Sequence, residues 1–179
     1  MSKYKVTPVD QELKFSADEI IVSKTDVTGK ILYANDVFCR LAEMSTEEVI
    51  GQPHSIIRHP DMPRAVFQLL WDTISKGKEI FAYIKNMSAT GKYYWVVAHV
   101  TPTRDRAGNI IGYHSNRRAP SQAGVADILP LYRELLAEEA KGGDRKAALA
   151  ASTGLLKAKL DAIGKTYDEF IWSTGEANV

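Results

Sequence analysis

Two strand-like runs, residues 79–87 and 93–103, constrain this chain most, because their side chains sort cleanly by parity. Successive side chains on a strand point to opposite faces. One face of the pair therefore carries Ile80, Ala82, Ile84 and Asn86 with Tyr94, Val96, Ala98 and Val100. The other carries Phe81, Tyr83, Lys85 and Met87 with Tyr93, Trp95, Val97 and His99. The small aliphatic face predicts an interior covered by helices, and Ser88-Ala89-Thr90-Gly91-Lys92 predicts the turn. Ala82 and Ala98 leave space there that a close-packed core would fill. Either Phe38, Phe67 and Trp71 fill it from the helices, or a ligand does.

The remaining elements fall around this pair. Residues 20–25 and 30–34 read as strands joined by Asp26-Val27-Thr28-Gly29, and a further strand over 109–117 follows Asp105-Arg106-Ala107-Gly108. Between them, Asn35 or Asp36 can cap a first short helix, and Ser45 with Glu48 has capping-box spacing for a second. Phe67, Leu70, Trp71 and Ile74 share one face of a third, which Gly77 closes. The order β-β-α-α-α-β-β-β predicts an α+β domain over residues 18–120, a five-stranded antiparallel sheet with short helices on one face. Residues 1–17 read as a loose arm or a short capping helix. Residues 121–179 read as a helical extension with Val125, Leu129, Tyr132 and Leu136 on one helix and Leu149, Leu156, Leu160 and Ile163 on the next. Helices with such narrow apolar faces must cover the outer sheet face, each other or a second subunit.

Several function classes are not expected. Lys and Arg number 23 against 22 acidic residues, and the basic residues are scattered, which gives no footprint for nucleic acid. A single cysteine, Cys39, allows no intrachain disulfide and suits a reducing cytoplasm. The N-terminal residues lack the apolar stretch of a signal peptide, and nothing approaches the ~20 apolar residues that span a bilayer. A cytoplasmic protein without a membrane role is expected. No nucleophile is tied to His59 and Asp61, and no phosphate loop or metal-binding spacing occurs, so an enzyme is not expected.

Ile57-Arg58-His59-Pro60-Asp61-Met62-Pro63 is too polar and too stiff to build core. It is either a shaped wall of a site or a surface turn with an Arg58–Asp61 ion pair. Asn35, Arg58, His59, Asp61 and Asn86 are the polar groups expected near the apolar space, and an apolar pocket with a few convergent polar groups is the general form of a small-molecule site. His54 reads as a loop or capping residue, His99 as outward-facing, and Trp71 as core. His114 lies in the string Tyr113-His114-Ser115-Asn116-Arg117-Arg118, which could reach a ligand's polar end but is read here as a polar edge strand.

The order of elements and a set of local strings resemble a PAS domain, in the subgroup of the Aer energy-taxis receptors. The strings are Ser23-Lys24-Thr25-Asp26, Tyr33-Ala34-Asn35-Asp36-Val37-Phe38, Gly51-Gln52-Pro53-His54, Arg58-His59-Pro60-Asp61-Met62-Pro63, Val66-Phe67, Lys85-Asn86, Tyr94-Trp95-Val96 and Gly112-Tyr113. The resemblance covers residues 18–120. It implies a sensor that holds FAD noncovalently and reports redox state to a protein partner. Carried over position by position, it implies flavin-site residues at Asn35, Arg58, His59, Asp61 and Asn86; Phe67, Trp71, Ile80, Ala82 and Ala98, read from the helix face and strand parity, are expected as the apolar walls. Ile80 stands where flavin-binding members carry a tryptophan. Arg58 would hold a carbonyl or phosphate oxygen, Asn86 the ring edge, and Asp61 would orient Arg58 or His59. Receptors of this type continue into a membrane anchor and a signalling bundle, whereas only short helices follow Ala119 here, so no output domain is expected within the chain. Two other readings stay open. One is a heme b sensor with His59, or else His54, as axial ligand. The other is a cofactor-free interaction module whose aromatic sheet face and C-terminal helices bind a partner or form a homodimer.

Overall fold

The computed structural model describes residues 6–174. Strands β1 (Ile21–Thr25), β2 (Ile31–Ala34), β3 (Ile80–Met87), β4 (Tyr93–Arg104) and β5 (Ile110–Arg118) form one antiparallel sheet in the order β2-β1-β5-β4-β3. The β3–β4 ladder runs from Ile80 opposite Val100 to Met87 opposite Tyr93. All eight side chains that parity assigns to the interior are buried. The β1–β2 turn is held by the Asp26 carboxylate, which accepts from the Thr28 amide at 2.8 Å and the Lys30 amide at 3.0 Å. Gly29 there takes the left-handed φ of 84° that favours glycine.

Helices α1 (Asp36–Ala42), α2 (Thr46–Val49) and α3 (Arg64–Ile74), with one 3₁₀ turn over His54–Ile57, cover the inner face. Phe38, Leu41, Val49, Ile57, Val66 and Ile74 join Ile21, Ile31, Ile80 and Val96 in the core. Asn35 is the α1 cap: its carboxamide oxygen accepts from Phe38 at 3.1 Å and from Val22 at 3.0 Å. Ser45 and Glu48 form the expected capping box.

Two placements differ from the sequence reading. β5 is the central strand, not an edge, because the β1–β2 hairpin pairs with it on one side and β4 on the other. The string 113–118 therefore has inward and outward members, and Tyr113, Ser115 and Arg117 are buried. The described part of the N-terminal arm, residues 6–17, contains no helix. It is tied to the sheet where the β5 pairing stops: Leu13 donates to the Tyr93 carbonyl at 2.7 Å and Tyr93 donates to that of Gln11 at 3.0 Å.

The extension forms α4 (Gln122–Ala140), α5 (Arg145–Ala162) and α6 (Tyr167–Ser173). α4 and α6 cover the outer face at β3 and β4: Tyr132 stacks near Trp95 at 6.4 Å and Trp172 meets Phe81 at 4.7 Å. The buried stripe of α4 is Gly124, Ile128, Leu131, Tyr132 and Leu135, with the expected Val125, Leu129 and Leu136 half-buried on its flanks. α5 packs on both α4 and α3, and its expected Ile163 is 51% exposed. Among the described residues no helix is long and apolar enough to cross a membrane.

Candidate functional site

A cavity of about 220 Å³ lies between the inner sheet face and α3. An engineered apolar cavity of ~150 Å³ already takes up benzene, so this one has room for a ring. The sheet contributes Ser23 and Thr25 from β1, Ile84 and Asn86 from β3, Ala98 and Val100 from β4, and Tyr113, Ser115 and Arg117 from β5. Phe67, Leu70, Trp71 and Ile74 form the α3 wall, and His54 and Arg58 close the side. The space left by the small Ala98 is thus not plugged by Phe38, Phe67 or Trp71.

Arg58 stands at the wall as expected, but not through an ion pair with Asp61. Its guanidinium lies 3.9 Å over the Phe67 ring and reaches the Met62 carbonyl at 3.4 Å. Burial pulls its pKa down to about 10, opposed by the negative charge of Glu139. A backbone bridge sets it beside Asn86, whose buried side-chain amide nitrogen has no hydrogen-bond partner.

The other expected site residues divide. Phe67, Trp71 and Ala98 line the cavity; Asn35, His59, Asp61, Ile80 and Ala82 do not. Asn35 is committed to capping, with its amide nitrogen donating to the Ile20 carbonyl at 2.8 Å. The Asp61 carboxylate is exposed and pairs with Lys85 at 2.8 Å, lying 3.5 Å from the His59 ring, so it faces Lys85 and His59 and not Arg58. The buried His59 uses Nδ1 to accept from the Asp61 amide at 3.0 Å and sets its ring edge against Tyr93. Ile80 and Ala82 belong to the core. Trp71 is not core: it is 37% exposed at the cavity rim, edge-on to Tyr113 at 5.5 Å. An aromatic wall is therefore supplied from α3, and not from the Ile80 position.

Sequence reasoning set the buried end aside by reading its string, residues 113–118, as an edge strand. Arg117 is 2% exposed, and its Nη2 donates to Ser23 Oγ at 2.6 Å and meets His54 Nε2, while Nη1 has no partner. The guanidinium carbon sits 5.5 Å over the Phe38 ring. Desolvation brings its pKa down to about 10. Burial, and then Arg117, push the His54 imidazole well below its usual range, so it is neutral. Ser115 Oγ is also buried without a partner. The parity signal that found Ala98 would have found Arg117, which stands opposite it across the ladder, had the strand order been known.

Asn86 Nδ2, Ser115 Oγ and Arg117 Nη1 are thus unpartnered donors in a space walled by Phe67 and Trp71. That donor set fits a planar heteroaromatic group with acceptor atoms along its edge. It does not favour an iron ligand: His59 is off the cavity, and His54 Nε2 is engaged by Ser23 and Arg117. A broader groove of about 630 Å³ crosses the outer sheet face past Phe81, His99 and Trp172. It is larger, but its Asn35 and His99 are already satisfied, His99 by Glu79 at 2.7 Å.

Comparison with known proteins agrees with the fold. Residues 31–117 match the PAS fold family. The chain is 38% identical over 125 residues to the aerotaxis receptor of Escherichia coli (strain K12), a match covering 70% of the chain and 24% of the receptor. It is 30% identical over 80 residues to phototropin-1A of Oryza sativa subsp. japonica, covering 45% of the chain and 9% of that protein. The chain thus spans about a quarter or less of these relatives. Among solved structures, the light state of the blue-light photoreceptor aureochrome1 LOV superposes with a TM-score of 0.55 at 25% identity, covering 64% of the chain and 91% of that domain.

Proposed function

The chain carries a PAS domain of the aerotaxis-receptor type, and we propose that it is a cytoplasmic sensor that holds FAD noncovalently and passes its redox state to a protein partner. One observation carries the reading: an aromatic-walled cavity whose strand β3 offers an orphaned carboxamide, Asn86, next to the guanidinium of Arg58. Reversible electron uptake is the chemistry a bound flavin supplies. With the group bound, Asn86 would donate to an acceptor on the ring edge, Phe67 and Trp71 would exclude water, and Arg58 at the rim would hold an oxygen. A change in what Asn86 bonds shifts β3. The neighbouring Tyr83 on that strand points to the opposite face, where its carbonyl receives the Tyr132 hydroxyl of α4. β3 is thereby a two-sided element that ligand state biases on one face and helix docking reads on the other.

An absorbance spectrum tests this directly. Purified or FAD-reconstituted protein should be yellow, bleach on reduction, and lose at least tenfold in FAD affinity in Asn86→Ala. Protein that stays colourless after reconstitution overturns the reading.

A further inference from the structure

We infer that the buried end of the cavity is an anion-binding site, built by Arg117 for the negatively charged edge of a planar aromatic or heteroaromatic ligand. A guanidinium taken out of water is costly unless an opposite charge compensates it. Among the described residues Arg117 makes no ion pair; its neighbours are the neutral His54, the Ser23 hydroxyl, the Phe38 ring and the buried phenol of Tyr94. Its Nη1 and the Ser115 hydroxyl, two positions apart on the same face of β5, both line the cavity and both lack partners. A single positive charge with two vacant donors in a desolvated space is a receptor for a carboxylate or a deprotonated ring edge.

Arg58 does not serve equally. It lies nearer the rim, is bonded to Met62, and feels the carboxylate of Glu139. The ring requirement follows from the walls, since Phe67 and Trp71 flank a space of about 220 Å³. That encloses at least one ring bearing a small charged group, against the ~150 Å³ that holds benzene alone.

The inference does not rest on the ligand being a flavin. Its test uses benzoate and the neutral isostere benzamide as probes, titrated calorimetrically into the full chain after removal of any copurified small molecule. Benzoate should bind at least tenfold more tightly than benzamide. The preference should vanish in Arg117→Met and persist in Arg117→Lys. Equal binding of the two probes, binding of neither, or a preference lost in Arg58→Met but kept in Arg117→Met overturns it. The wild-type comparison decides by itself should Arg117→Met fail to fold. Colourless protein that prefers benzoate would keep this site and reject the flavin; yellow protein without the preference would do the reverse.

Discussion

The Tyr132 hydroxyl donates to the backbone carbonyl of Tyr83 at 2.7 Å, joining α4 on the outer sheet face to the strand whose next residue, Ile84, lines the cavity. The Tyr167 hydroxyl lies 3.2 Å from the same oxygen, so Tyr132 donates to Tyr83 and accepts from Tyr167. Three elements, β3, α4 and α6, meet at one buried hydroxyl. It connects the cavity strand directly to the C-terminal helices.

Removing that oxygen in Tyr132→Phe strands the Tyr167 hydroxyl in a buried place. The expected loss is about 1–3 kcal/mol, the desolvation penalty of an orphaned polar group. Urea unfolding measures it, and amide exchange in α4 and α6 should quicken while exchange in α1 does not. A variant as stable as the parent, with unchanged exchange, would show that packing of the ring on Trp95 alone holds α4.

Filling the cavity is a separate test of where the ligand sits. Ala98→Met places a flexible apolar chain into the space beside Arg117, at an overpacking cost of about 1–3 kcal/mol or less, since the space is open. Uptake of any ring ligand, FAD included, should fall at least tenfold with the fold retained by circular dichroism. Unchanged uptake would place the ligand outside this cavity.

His54 predicts an acid-side loss of stability. Its folded-state pKa is lowered well below 6.5 by burial and by Arg117, so the unfolded chain binds the proton more readily. The stability that neutral His54 contributes is present above about pH 6.5 and is lost as pH falls from there toward its folded-state pKa, with a slope of at most about 1.4 kcal/mol per pH unit. Urea midpoints at pH 7.5 and pH 5.5 should differ clearly in the parent and by less in His54→Gln. Equal differences in the two proteins would mean that other groups set the acid limb.

What could be read in advance follows from the range of each interaction. Strand parity, the Asn35 and Ser45 caps and the α3 face are set by residues within a few positions of one another, and they place the elements correctly. The same locality explains the errors at the site. A capping asparagine and a ligand-binding asparagine have the same sequence context, so Asn35 looked like a contact. Arg58 and Asp61 lie close enough to pair, but Lys85, 24 residues on, takes the carboxylate instead. Arg117 meets Ser23 across 94 residues and His54 across 63, contacts that exist only because β5 is central. Strand order is a global property, and no local pattern in residues 113–118 announces it.

Glu139 shows the same long reach and predicts a coupling. α3 begins after Pro63, which offers no side-chain cap. The first-turn amide of Ala65 is instead satisfied from α4 by the Glu139 carboxylate at 3.1 Å, which also accepts from Arg64 Nε at 3.0 Å and from Ser152 Oγ at 3.0 Å. A carboxylate at a helix N-terminus is favoured by the free N–H groups and the helix dipole. The Glu139 side chain is only 8% exposed, so deleting it leaves Arg64 and the Ala65 amide poorly paired. Glu139→Ala should cost about 2–4 kcal/mol, and Glu139→Gln less, because the amide keeps one accepting oxygen. Glu139 does not line the cavity, yet α3 carries Phe67 and Trp71, which do. Ligand affinity should therefore fall severalfold in Glu139→Ala at temperatures where the variant remains folded. If stability drops while affinity holds, the core contacts of Val66, Leu70 and Ile74 fix α3 without help from α4, and the C-terminal helices communicate with the ligand through β3 alone.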